Sequence, residues 1–400
     1  MNVRHSFIAL SLLVSAPLSI ASWAQAETFS TLILTPNTIE GLTNDNRGNL
    51  YTPGRNPNPG TGPNCPVWRV NIANPTLVIV GFIPSPCSPS GLAFDRMGKL
   101  YVSDGDEVYS FFPNSSAPPI ATAFASGVPG TNGLAFDRHG NLWTGDGTTG
   151  QGRVWKINTA GVATEMFRVQ PMANEVNLVA NAICPGGVSG TPCVGGVGRD
   201  ARTLPPGTIT VLPDSRNAQN TLGSQPLVAN GLQFTKHDDL LIADTARGAI
   251  WKVRLDRHGQ VRSRMGCDTT FTDNTLCLED NIFVQHPLLE GADGFVLDHD
   301  DNLWVDANER NAIVFVSDKG EVTEVFRNEP DPVTQLRNTG PLETPTSPAL
   351  SDRTLCTANS DGNRRDNSPS SAGQLPALGL GKISCMDQRV RTRGATLPVR

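Results

Sequence analysis

One phrase recurs along this chain in a fixed frame, and it constrains the fold more than any other feature. It reads Glu40-Gly-Leu-Thr-Asn-Asp-Asn-Arg-Gly-Asn-Leu-Tyr51, then Ser90-Gly-Leu-Ala-Phe-Asp-Arg-Met-Gly-Lys-Leu-Tyr101, then Asn132-Gly-Leu-Ala-Phe-Asp-Arg-His-Gly-Asn-Leu-Trp143. Asn230-Gly-Leu-Gln-Phe to Leu241 and Asp293-Gly-Phe-Val-Leu to Trp304 keep the frame, and a weaker sixth copy runs from about Thr346 through Leu355. Each copy alternates apolar with small or polar residues, passes a turn rich in Asp, Gly and Asn, and closes on an aromatic residue or Leu. That is the pattern of a β-hairpin.

Third strands follow at Gly152 to Ile157, Gly248 to Val253 and Asn311 to Val316, and a fourth at Val322 to Phe326. Four antiparallel strands per repeat make a propeller blade, so the chain is expected to be all-β, a six-bladed β-propeller with four-stranded antiparallel blades. Successive Gly-Leu steps lie 50, 42, 98, 63 and about 54 residues apart, which leaves surplus chain after the third blade. Residues 169–225 lack the hairpin phrase and carry a Gly/Pro-rich stretch between Cys184 and Cys193, so they are expected to be a disulfide-closed insertion; a degenerate seventh blade is the alternative. Thr28 to Leu34, ahead of the first hairpin, is free to become the outer strand of the last blade and seal the ring.

The N-terminus reads as an export signal. Arg4 and His5 precede an apolar run from Phe7 to Ile20, and Ala24-Gln25-Ala26 fits small-x-small cleavage. Residues 1–26 are therefore expected to be a signal peptide and 27–400 the propeller, secreted or periplasmic, monomeric and without membrane insertion after cleavage. Eight cysteines in an exported chain predict disulfides, paired most simply as 65–87, 184–193, 267–277 and 356–385; a zinc-cysteine site competes, but no C-x-x-C spacing occurs. Loss of Arg4 takes the formal net charge from −6 to −7, which speaks against a nucleic-acid partner.

In a propeller the residue before each Gly-Leu step faces the central axis from one end. Those residues are Glu40, Ser90, Asn132, Asn230 and Asp293. Two carboxylates and two carboxamides converging there suit a hard cation, although Asn, Asp and Ser before a strand also serve as turn formers. His286, seven residues before Asp293, is either a proton shuttle on that face or a surface histidine. His139, His237 and His299 fall in turns at the opposite end. Asp104, Asp146, Asp244 and Asp306, near the end of each second strand, are expected to hydrogen-bond from blade to blade. No G-x-S-x-G elbow, H-E-x-x-H helix or phosphate-binding glycine loop is present.

The motifs Asn132-Gly-Leu-Ala-Phe-Asp, Val228-Ala-Asn-Gly-Leu-Gln-Phe and Ala292-Asp-Gly-Phe-Val-Leu-Asp, preceded by Ile39-Glu-Gly, resemble the senescence marker protein/gluconolactonase (regucalcin-like) family of six-bladed propellers. The resemblance implies a divalent cation on the axis, Ca²⁺ in the first place with Mg²⁺, Mn²⁺ or Zn²⁺ as alternatives, held by Glu40, Asn132, Asn230 and Asp293. It also implies metal-dependent hydrolysis of a small-molecule lactone or related ester, phosphotriesters included, with Asp293 as general base. Sugar-lactone members often carry an Arg two residues before the first middle-blade Asn, where this chain has Gly130. The competing functions are a non-catalytic propeller binding protein and a strictosidine synthase-like condensing enzyme, a group that keeps no such metal cage.

Overall fold

The hairpin phrase folds as it does because of its polar turn. In the first three copies Asp45, Asp95 and Asp137 each use Oδ1 to accept from the N–H groups two and four residues on, at 2.8–3.2 Å. The glycine between those donors takes the left-handed region, with φ of 79° at Gly48, 82° at Gly98 and 81° at Gly140. In the fourth and fifth copies Asp238 and Asp301 occupy that position at φ 64° and 63°, a conformation Asp tolerates better than most side chains. His139, His237 and His299 ride on these turns, exposed.

The computed structural model describes residues 28–56, 62–171, 227–269, 271–330, 332, 337, 339–351, 353–360 and 380–387. After β1 (Phe29–Thr35), blade one comprises β2 (Thr43–Asn44), β3 (Asn49–Pro53), β4 (Cys65–Asn71) and β5 (Leu77–Ile83). Blade two comprises β6 (Leu92–Phe94), β7 (Leu100–Asp104), β8 (Glu107–Phe111) and β9 (Thr122–Ser126). Blade three holds β10 (Thr131–Phe136), β11 (Leu142–Asp146), β12 (Arg153–Ile157) and β13 (Ala163–Arg168). Blade four holds β14 (Leu232–Phe234), β15 (Leu240–Asp244), β16 (Ala249–Val253) and β17 (Ile282–Gln285). Blade five is β18 (Ala292–Leu297), β19 (Leu303–Ala307), β20 (Ala312–Val316) and β21 (Val322–Arg327). Blade six, β22 (Pro345–Ser351), β23 (Thr354–Asn359) and β24 (Gly381–Asp387), takes β1 as its outer strand, antiparallel to β24 from Phe29 opposite Met386 to Thr35 opposite Gly381. The ring is closed as expected, with the N-terminal strand completing the last blade.

The core lies between blades. Aromatic residues closing the first three hairpins meet the next blade's inner strand edge-on: Tyr51 with Phe94 at 4.9 Å, Tyr101 with Phe136 at 5.1 Å, and Trp143 with Phe234 at 5.8 Å between ring centroids. The repeated Phe and the closing aromatic are thus two halves of one interface.

Among the described residues no seventh blade stands between blades three and four. Blades three and four are direct neighbours, so close that a Cβ on Gly145 would fall 2.4 Å from the Ala229 carbonyl oxygen. Apart from Val169, Gln170 and Pro171, the expected insertion lies outside the described residues, as do Cys184, Cys193 and the expected signal peptide. Disulfides join Cys65 to Cys87, Cys267 to Cys277 and Cys356 to Cys385, the pairing of sequence neighbours. No helix among the described residues is long and apolar enough to cross a membrane.

Candidate functional site

The glycines of the Gly-Leu steps are there because the inner strands crowd the axis. A Cβ on Gly41 would lie 1.9 Å from the Ser90 carbonyl oxygen, on Gly91 2.2 Å from that of Asn132, on Gly231 2.7 Å from that of Asp293, and on Gly294 2.3 Å from that of Thr346. Each glycine packs against the residue that precedes the next blade's step, and Thr346 completes the circuit by donating its hydroxyl to the Glu40 carbonyl at 2.7 Å. Glu40, Ser90, Asn132, Asn230, Asp293 and Thr346 therefore form one buried ring at the inner-strand starts.

Within it, Asn132 Nδ2 donates to Glu40 Oε1 at 3.0 Å, and Arg55 forms an ion pair with Glu40 Oε2. Asn308 Nδ2 donates to Asp293 Oδ2 at 2.7 Å. Asn230 Nδ2 donates to Thr245 Oγ1 at 3.1 Å, while its Oδ1 is buried without a hydrogen-bond partner. Burial pushes the Asp293 carboxyl up to about 8; the neighbouring Asp306 adds to this, and the Asn308 and Asn230 amides and the Arg55 charge pull against it.

A second position supports the ring in three blades. It lies five residues after the Leu at or near the start of the second strand, where Arg55, Thr245 and Asn308 bond to Glu40, Asn230 and Asp293, while blades two and three carry Gly105 and Gly147. Thr245 also donates to the Ala292 carbonyl at 2.7 Å, fixing the hydroxyl that receives Asn230. Gly147 serves by having no side chain, since a Cβ there would sit 2.5 Å from Asn132 Nδ2. Sequence reading missed Arg55, Thr245 and Asn308. Their shared offset from the repeat was visible, but they share no residue type that would mark it.

The other expectations fare unequally. His286 sits between β17 and a short 3₁₀ turn, Pro287–Leu289, and its Nδ1 accepts from the Leu288 N–H at 3.1 Å; no hydrogen bond joins it to Asp293. Of the four strand-end aspartates, only Asp306 bonds to another blade, accepting from Thr357 Oγ1 at 2.5 Å. Asp146 accepts from Thr149 and Arg153, and Asp244 from Arg247 and Trp251, within their own blades, while Asp104 accepts from the Ser88 N–H in the connection that enters its blade from blade one. For Asp146 and Asp244 the reason is local: at a strand end, N–H groups of the following turn are the nearest unpaired donors. Gly130, where an Arg stands in the resembling sugar lactonases, has φ of 81°, and a Cβ there would lie 2.1 Å from Asp146 Oδ1, so this backbone admits no side chain.

The residues fit a hard divalent cation. Glu40, Asn132, Asn230 and Asp293 can all present oxygen, and the unpartnered Asn230 Oδ1 is a buried acceptor that a cation would satisfy. An all-oxygen set suits Ca²⁺, Mg²⁺ or Mn²⁺ better than Zn²⁺, and six of the cysteines that could have drawn zinc are in disulfides.

Residues 189–336 match the family model described as the SMP-30/Gluconolactonase/LRE-like region. No curated protein matches the chain by sequence. Among solved structures, a luciferin-regenerating enzyme superposes with a TM-score of 0.55 at 13% identity, covering 93% of this chain and 99% of that one. Regucalcin from Agrobacterium tumefaciens str. C58, described as a calcium-binding protein, superposes with a TM-score of 0.53 at 16% identity, covering 94% of this chain and all of that one (100%). At these identities the superpositions speak for a shared fold.

Proposed function

We propose, from the premise that the chain is similar to the SMP-30/gluconolactonase/LRE-like family, that it is an exported hydrolase of a lactone or related ester whose activity needs a divalent cation on the propeller axis. The observation that carries this reading is the buried ring of Glu40, Asn132, Asn230 and Asp293, with Asn230 Oδ1 unpartnered. Disulfides joining six cysteines support an oxidising compartment, and hence export.

A divalent cation held there would polarise the substrate carbonyl and stabilise the negative charge that develops on its oxygen as water adds. The protein's own contribution is placement and proton transfer. Glu40 is fixed by Asn132 and Arg55. Asn230 is held in position through its amide nitrogen by Thr245, which leaves its oxygen turned inward. Asp293 is oriented by Asn308, and in its ionised form would take a proton from water and return it to the leaving alkoxide.

Asp293→Asn retains an oxygen ligand and the hydrogen-bonding shape but cannot accept that proton. The variant is expected to fold as the parent does by circular dichroism and to lose lactone hydrolysis by at least about a hundredfold in kcat. Undiminished turnover by this variant would remove Asp293 from the mechanism.

A further inference from the structure

On the metal-site reading above, each oxygen of the carboxylate that would hold the cation already has a partner. Glu40 Oε1 receives Asn132 Nδ2 at 3.0 Å, and Oε2 is ion-paired with Arg55, whose single positive charge stands where a ligated cation would need that oxygen. On the far side of the ring, Asn230 Oδ1 has no partner.

We propose that Arg55 is a tethered cation that shares Glu40 with the divalent ion, so that loading of the axial site requires Arg55 to withdraw. Three observations make it a placed group. Its backbone is pinned, the N–H donating to the Thr38 carbonyl at 2.7 Å and the carbonyl accepting from Asn37 Nδ2 at 3.1 Å. Its guanidinium is steered by the neighbouring blade, Nε donating to the Pro89 carbonyl at 3.1 Å and Nη2 to Ser90 Oγ at 3.2 Å. Its side chain is 26% exposed against 10% for Glu40, so Arg55 is the partner nearer to solvent. Positions equivalent to Arg55 in blades two to five carry Gly105, Gly147, Thr245 and Asn308, so the charge enters the axis from blade one alone among them.

The physical consequence is a site whose affinity is set by exchange. A free carboxylate offers its full charge to a divalent ion, whereas one paired with guanidinium must first give up that pair, and the displaced charge stays nearby on its tether. Arg55 thereby weakens cation binding and makes it reversible at higher free ion concentrations than the oxygen set alone would give.

The test is calcium binding by isothermal titration calorimetry on the chelator-stripped full chain, in parent, Arg55→Gln and Arg55→Lys. Gln keeps a donor for Pro89 and Ser90 without the charge, and should bind calcium at least about tenfold tighter than the parent, with Lys in between. A Kd for Arg55→Gln equal to or weaker than the parent's overturns the proposal while leaving the metal-site reading intact. If neither protein binds calcium, both fall. Should Arg55→Gln not fold, the parent alone decides: the Arg55 Nε–H resonance in a ¹⁵N spectrum, assigned by its loss in Arg55→Lys, must shift on calcium saturation, and a resonance that stays fixed overturns the proposal.

Discussion

At the residue scale, three aspartates lie with their carboxyl groups largely taken out of water. Desolvation raises Asp104 to about 6 and Asp293 to about 8, and lifts Asp306 well above the usual carboxylate range. Each of these groups binds a proton more tightly in the folded than in the unfolded chain. Between the unfolded value near 4 and the folded values, the native state holds protons that the unfolded state has lost, so stability falls as pH rises. Metal-free protein should lose stability continuously from about pH 4 to about pH 8 in urea denaturation, and saturating calcium, which favours ionised Asp293, should flatten the upper part of that slope. A metal-free stability that climbs with pH over this window would contradict the burial of these groups in their protonated form. The opposite contributions, from Glu165, Asp256 and Asp318, come from groups at least partly open to solvent.

At the scale of the strand and its turn, most of the molecule was legible. The Asp-x-x-Gly turn announces itself because only certain residues satisfy two N–H groups and accept a positive φ, and the Gly-Leu step because inner strands touch. Gly91→Ala tests that contact: its Cβ would meet the Asn132 carbonyl oxygen at 2.2 Å, backbone against backbone, and should cost about 3 kcal/mol or more, seen as a lowered denaturation midpoint. An unchanged midpoint would mean that the inner strands are not so close. Glu40, Asn132, Asn230 and Asp293 could be located because that glycine marks the position beside each of them. Arg55, Thr245 and Asn308 could not, because what selects them is a partner across the strand pair, and each partner asks for a different side chain. The strand-end aspartates misled for a related reason: a regular offset along the chain says where a carboxylate lies, not which of the donors around it is nearest.

At the scale of the whole molecule, the blades bring different groups to the axis. Blade one brings both an anion and a cation, blade two a hydroxyl, blades three and four amides, blade five a carboxyl, and blade six the threonine that closes the circuit onto Glu40. β1, paired with β24, keeps the ring shut so that these six contributions stay in register around one axis. The central claim, that this ring holds a divalent cation for lactone or ester hydrolysis, is tested most directly by elemental analysis of the purified protein, combined with a lactone-panel assay before and after chelation. The account predicts about one bound divalent ion per chain, turnover of at least one lactone, loss of that turnover on chelation and its return with added calcium. Turnover that persists in demonstrably metal-free protein would contradict it, as would a fully loaded site that hydrolyses no lactone or ester.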